Sequence, residues 1–193
     1  MDEREKRLIR QAQQGNTAAF AQLVALHDRR VLKLAYQLLN SPQDAEDVYQ
    51  EVFMQVFRKL SSFRFESEFS TWLYRIVVNY CINYRRWRGR RRFYSLDVPA
   101  REDEEPLSYQ VEDDSRTPEE AILNQELGQK ITAAIAGLSD KQRAVFVLRH
   151  FHGHKLQEIA AILDCAEGTV KNYLFRATQH LQGKLRAYHE DEI

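Results

Sequence analysis

The chain has 193 residues, 44% of them hydrophobic, which is enough to bury the core of one ordinary domain or two small ones and excludes a disordered tail. Its 28 Lys/Arg and 28 Asp/Glu cancel overall but not locally: residues 1–99 carry a net +6, residues 100–120 a net −7 and residues 121–193 a net +1, so the charge divides the chain into three physical units. No apolar run approaches the ~18 residues of a membrane span, and the opening MDEREKRLIR is charged where a secretory signal needs an apolar core, which predicts a protein that stays in the cytoplasm.

In chain order, the first strong helix signal is Ser41-Pro42-Gln43-Asp44: an N-cap, a proline at the first helical position and an acid in the first turn. Apolar residues then recur at Val48, Tyr49, Val52, Phe53, Val56, Phe57 and Leu60, predicting that face as the buried one. From Phe63 to Tyr84 the chain carries seven aromatics, and helical spacing places Trp72, Ile76 and Tyr80 on one face as core. Phe63 and Phe65 sit in a Ser/Glu-rich connection, where a core role is less natural.

Six arginines follow within eight residues (Arg85, Arg86, Arg88, Arg90, Arg91 and Arg92), interleaved with Trp87. Arginine near a helix C-terminus complements the helix dipole, but six exceed what capping needs. Aromatics beside arginines offer bases a surface to stack on and phosphates a neutralising charge, which points to single-stranded nucleic acid.

Pro99 to Glu120 combines prolines, acids and few large apolar residues, a composition that cannot collapse into a core and reads as a linker. Its about 21 residues reach about 70 Å when extended, close to two turns of B-DNA. Beyond it, Thr117-Pro118-Glu119-Glu120 is a capping box opening a helix with Ile122, Leu127, Ile131, Ala134 and Ile135 inward. Ser139-Asp140-Lys141-Gln142 is a second box, leading a helix through Val145 and Leu148 that stops near Gly153. No alternating strand pattern of useful length occurs, so the fold class is all-α.

LQEIAAILDCAEGTVKNYLFRATQHL, Leu156 to Leu181, has a short helix with Leu156, Ile159, Ala160 and Leu163 inward, a break around Asp164 to Gly168, and a second helix burying Val170, Leu174, Ala177 and Leu181. Two short helices with a tight turn and a small residue at the crossing make a helix-turn-helix. The second helix then exposes Lys171, Asn172, Phe175, Arg176 and Gln179, groups suited to base edges, thymine methyls and phosphates.

Cys81 and Cys165 lie far apart and outside any C-x-x-C pair, so they read as small core residues. His150, His152 and His154 alternate, but a spacing of two scatters side chains around a helix and Gly153 interrupts it; no metal site or cofactor is expected. Phosphate-cradling glycine loops, G-x-S-x-G and H-E-x-x-H are absent, and no enzyme is expected. A conventional helix-turn-helix repressor would bind its operator tightly unaided, and an RNA-binding protein would be indifferent to Arg176.

From about Leu8 to Leu185 the chain resembles the extracytoplasmic-function sigma factors, sigma-E-like in type. DAEDVYQEVFMQVFRKL (44–60) looks like the polymerase-binding helix, FSTWLYRIVVN (69–79) like the promoter-melting segment and KLQEIAAILDCAEGTVKNYLFRA (155–177) like the minus-35 reader. The resemblance implies a sigma-2-like domain over 1–98, a flexible acidic linker over 99–117, a sigma-4-like helix-turn-helix domain over 118–187 and a tail over 188–193. It implies core RNA polymerase as partner, with Asp44, Asp47, Gln50, Glu51 and Met54 facing outward to the clamp helices of the largest subunit and the second domain meeting the flap of the second-largest.

It further implies that Phe63, Arg64, Phe65 and Glu66 form a pocket for a base extruded from the minus-10 strand, with Asn79 below, while Arg75, Asn83, Arg85, Arg86 and Arg88 hold the strands. Lys171, Asn172, Phe175, Arg176 and Gln179 would read the minus-35 element. Members are usually held by an anti-sigma factor, often membrane-anchored. Where many relatives have serine caps this chain has Lys155 and Ala166, and Asp164 stands at a turn position often held by glycine. Each missing cap costs about 1 kcal/mol, and the second domain is expected to be marginal alone.

Overall fold

The computed structural model describes residues 1–94, 128 and 130–190, and among these every regular element is helical. The expected linker over 99–117, the Thr117-Pro118 capping box, Ile122 and Leu127 lie outside the described residues, as do residues 191–193 of the expected tail. The first module contains α1 (Glu3–Gln13), α2 (Thr17–Leu39), α3 (Pro42–Lys59), a 3-10 turn (Leu60–Ser62) and α4 (Phe69–Tyr94). The second contains α5 (130–136), α6 (Asp140–His150), α7 (Leu156–Leu163) and α8 (Glu167–Glu190). Helix α8 thus continues past residue 188, where a tail was expected to begin.

The helix starts follow from local chemistry. Asp2 accepts from the Glu5 N–H at 2.6 Å, Asn16 from Ala19 at 3.0 Å and Ser41 from Asp44 at 3.3 Å, each side-chain oxygen satisfying a donor that the first turn leaves open. Helix α2 stops at Asn40, which takes the left-handed conformation (φ 55°) and turns its N–H onto Tyr36 O at 2.7 Å. Asp164 ends α7 in the same way, at φ 53°, as its place in the turn predicts. The missing serine cap at Lys155 is offset from the other side, because the Glu158 carboxylate accepts the Lys155 N–H at 3.0 Å.

Helix α2 packs on α1, α3 and α4, burying Leu23, Val31, Leu34, Ala35 and Leu38. Three sequence expectations change here. Phe57 was expected inside, yet it is 52% exposed, since it lies seven residues after Gln50 and three after Met54, on the outer face of α3. Trp72, Ile76 and Tyr80 are only half-buried, because the inward face of α4 is Phe69, Leu73, Tyr74, Val77, Val78, Cys81 and Ile82. Phe63, expected outside the core, is buried. Cys81 is buried as expected and Cys165 half-buried, both free.

The two modules are not separate bodies. Helix α7 lies on α4, α6 lies on α2 and α4, and Val145, Val147, Leu148, Ile159 and Ile162 join the same buried cluster as the first module's core. A smaller cluster of Ala134, Ile135, Leu138, Ala177 and Leu181 remains within the second module. Arg143 stands at this seam, 2% exposed, donating to Ile135 O at 3.1 Å, to Ala136 O, and across the seam to Leu38 O at 2.9 Å. Burial, and then the charge of Arg85, bring its guanidinium down to about 10, so it remains a cation at neutral pH.

Arg143→Ala is expected to lower unfolding stability by about 2–4 kcal/mol in urea titrations, because it strips three buried carbonyls of a charged donor and leaves a cavity. A pH effect also arises at the seam. His152 Nε2 donates to Gln37 Oε1 at 2.8 Å, and burial, followed by the neighbouring His154, Lys33 and Arg30, pushes the ring down to about 4 from an ordinary 6.5. The folded chain holds this ring neutral while the unfolded chain protonates it first, so its stability contribution is present above pH 6.5 and is lost as pH falls towards 4. By pH ~5 the expected loss is about 1–2 kcal/mol, read as a fall in Tm that His152→Gln removes.

Candidate nucleic-acid interface

The connection between α3 and α4 is held from below. Gln13 Nε2 donates to Leu60 O at 2.9 Å and to Phe63 O at 2.8 Å, fastening the loop to the end of α1. Phe63 then fills the base of an aromatic cluster, with ring centroids 5.0 Å from Phe65, 5.6 Å from Phe69 and 5.3 Å from Trp72. It is the support for the loop rather than a surface group.

Phe65 stands over that support in the left-handed region, φ 61°, which is uncommon for a bulky residue and stores local strain. The Arg10 guanidinium lies 5.5 Å from its ring centre, a cation on an aromatic face. Lys6 and Arg10 from α1, with Phe65, Glu66, Ser67 and Glu68, line an open concavity of about 470 Å³. Phe65 and Glu66 are therefore brought together as expected of a pocket, whereas Arg64 is exposed away from its lining and Asn79 is exposed on α4. Lys6 and Arg10 were missed. Their spacing of four in MDEREKRLIR places both on one helical face, which was the available signal.

Along α4, Arg75, Asn79, Asn83, Arg86 and Arg90 recur at steps of three or four and form an outward stripe. At neutral pH the arginines are cations, and several already face carboxylates. Arg75 Nη2 is 2.7 Å from Asp164, Arg85 Nη1 is 2.9 Å from Asp140 and Arg86 Nε is 3.6 Å from the same group. Arg88 pairs with Asp44, which also accepts from Tyr84 Oη at 2.8 Å. Arg91 lies 4.6 Å over the half-open ring of Trp87. The side chain of Arg92 lies outside the described residues.

Asp44 is the correction on α3. It was expected to face outward, but it is buried against α4, where Arg88 and Tyr84 satisfy its oxygens. Asp47, Gln50 and Met54 are exposed as expected, and Glu51 is half-buried beside Tyr80, whose hydroxyl is raised by burial and by that carboxylate. Phe57 joins Met54, Gln50 and Phe20 around a shallow, largely apolar hollow, with Phe20 and Phe57 edge to face at 5.0 Å.

In the second module Ile159, Ile162 and Leu163 of α7 are buried, together with Val170, Ala177 and Leu181 of α8. Lys171, Asn172, Phe175, Arg176 and Gln179 are all exposed on one side of α8, and Phe175 is 61% exposed. Lys171 is tethered to Glu167 at 2.8 Å, one turn back. His150 lies near Phe146, ring centroids 4.5 Å apart, while His152 and His154 both meet Tyr74 edge-on and lie nearly parallel to each other at 6.4 Å.

Residues 23–91 match the family described as Sigma-70 region 2, and residues 128–181 match Sigma-70, region 4. The chain is 38% identical to the ECF RNA polymerase sigma-E factor of Escherichia coli over 93% of each chain. It is 36% identical to the ECF RNA polymerase sigma factor SigW of Bacillus subtilis over 94% of this chain and 96% of the other. Among solved structures it resembles that of the sigma factor RpoE in complex with the anti-sigma factor NepR from Bartonella quintana, with a TM-score of 0.66 and 27% identity over 86% of this chain and 96% of that one. An arginine-rich helix in one module, a helix with an exposed polar and aromatic face in the other and this likeness along nearly the whole length agree: the chain belongs to the extracytoplasmic-function RNA polymerase sigma factors.

Proposed function

We propose that residues 1–98 bind core RNA polymerase and open the minus-10 element, that 118–187 read the minus-35 element, and that the packed arrangement of the two modules is a resting state which polymerase opens. The chain is a sigma factor that directs promoter-specific transcription initiation, a non-enzymatic role. It acts in the cytoplasm, where the polymerase is; no helix among the described residues is long and apolar enough to cross a membrane.

The observation that carries this reading is the pairing of Arg75, Arg85 and Arg86 with Asp164 and Asp140 of the other module. These guanidiniums are the groups a displaced strand would need, and in the packed state carboxylates occupy them. Separation of the modules exchanges carboxylate for phosphate, a like-for-like substitution in charge-assisted hydrogen bonds. Phe65, with Glu66 and the Arg10 wall, receives an extruded base, whose removal from the stack costs a few kcal/mol and is offset by stacking. Asn79 and Asn83 of the same stripe add polar contacts to the strand. The exposed face of α8 enters the major groove, with Arg176, Asn172 and Gln179 toward base edges, Phe175 toward a thymine methyl and Lys171 toward phosphate.

The hollow at Phe20, Met54 and Phe57, with Asp47 and Gln50 beside it, meets the clamp helices of the largest polymerase subunit, and the second module meets the flap of the second-largest. Asp44 acts from within, holding Arg88 in place. An anti-sigma factor is a further partner, as in the RpoE–NepR complex, and would occlude the same surfaces. A free-standing repressor would bind its operator without polymerase. Reconstituted transcription with bacterial core polymerase over a random promoter library separates the two, and failure to direct any start site overturns the sigma role of these surfaces.

Arg176→Ala is expected to reduce initiation at minus-35-dependent promoters about tenfold with core binding unchanged, whereas Phe65→Ala reduces it on duplex templates and much less on pre-melted ones. Both are read in the same run-off assay. Asp140→Asn with Asp164→Asn, which keeps a residue tolerant of the left-handed turn, is expected to raise single-strand DNA affinity of the free factor several-fold and to steepen its salt dependence. Filter binding across a salt series measures both.

A further inference from the structure

A second basic feature lies at the seam on the side of α2 and is not used by the promoter contacts above. Arg29, Arg30 and Lys33 of α2, Tyr74 of α4, and His152 and His154 of the connection between α6 and α7 line one concavity of about 430 Å³. No carboxylate is among its lining residues, and none of its three permanent cations has an ion pair within 4.0 Å among the described residues. Three cations gathered without a counter-charge repel one another, and a chain that stays closed over them gains from an anion. We propose that this concavity binds a small pyrophosphate-bearing anion, a nucleoside di- or triphosphate or inorganic polyphosphate, and that the bound anion holds the two modules closed.

The walls favour this class of ligand. A pyrophosphate carries two to three charges at neutral pH, which matches three cations better than a single chloride or carboxylate does. Arg29 and Arg30 precede Lys33 by four and three residues on the exposed side of α2, and all three line the opening. Facing them across the seam, the rings of His152 and His154 are nearly parallel at 14° with centroids 6.4 Å apart, and Tyr74 meets each edge-on at 5.8 and 5.2 Å. His152 Nε2 already donates to Gln37 Oε1 and His154 Nδ1 faces Glu158 Oε2, so the cations of α2 are the groups left to meet an anion. The surplus of positive charge registers on His152 itself, pushed down by burial and then by His154, Lys33 and Arg30.

The volume falls within the range of small-molecule sites and is too narrow for a duplex. Because cations of the first module and imidazoles of the second share the cavity, an anion between them is bound only in the packed state. By linkage it raises the population of that state and lowers the fraction competent for promoter opening. This consequence rests on the resting state described above, whereas binding itself does not.

Inorganic pyrophosphate titrated into the full chain at constant ionic strength, by isothermal calorimetry, tests the site. Saturable one-to-one binding with a rise in Tm is expected, weakened about tenfold by Arg30→Ala or Lys33→Ala with circular dichroism and unliganded Tm preserved. A Tm rise equalled by sodium chloride of the same ionic strength, or binding indifferent to both substitutions, overturns the proposal. Tighter binding of a nucleoside diphosphate assigns the ligand to nucleotides, and equal binding assigns it to the phosphate chain alone; both support the site. If single-stranded promoter DNA displaces pyrophosphate one-to-one in a manner abolished by Lys33→Ala, the cavity serves the DNA backbone and the small-ligand assignment is wrong. Bound pyrophosphate that leaves promoter opening by the polymerase-bound factor unchanged overturns the closing role while leaving the binding result to stand on its own measurement.

Discussion

Helix α4 carries more guanidinium than its own module balances, and two of the three carboxylates that answer it come from the other module. Asp44 arrives from α3, Asp140 from the start of α6 and Asp164 from the turn after α7. Ion pairs of this exposure contribute little each, about 0–1 kcal/mol, and cannot by themselves hold two modules together. The apolar continuity from Val78 and Ile82 through Val145, Val147 and Ile162 supplies the larger share of adhesion. The ion pairs set register, placing the arginine-bearing face of α4 in contact with the second module.

This division of labour explains an otherwise odd balance of charge. A factor with a free row of arginines would bind nucleic acid without discrimination, since phosphate attraction is strong and blind to sequence. In the proposed resting state, internal carboxylates lower that attraction until a larger partner separates the modules. The second module buries one flank against its neighbour, and Arg143 completes that seam by reaching across to Leu38.

Much of this was legible in the sequence, and the exceptions share a cause. Helix starts at Ser41 and Ser139 and the left-handed stop at Asp164 could be read because caps and turns are local. The exposed face of α8 could be read because its period is regular. Phe63 could not be placed, since its burial depends on Gln13 drawing the loop down from α1, nearly fifty residues away. Asp44 looked like first-turn dipole chemistry, and only the approach of Tyr84 and Arg88 takes it inside. Phe57 was misassigned for a different reason: on a helix with apolar groups on more than one side, hydrophobicity alone does not say which side is core.

Asp164 holds two duties in a single side chain and backbone. Its left-handed φ of 53° stops α7 so that α8 can cross, and its carboxylate meets Arg75 of the opposite module. A glycine there would ease the bend and abandon the bond, while a glutamate would retain the charge and resist the bend. The residue that shapes the turn before α8 therefore also joins the two modules, and neither property can be tuned at this position without touching the other.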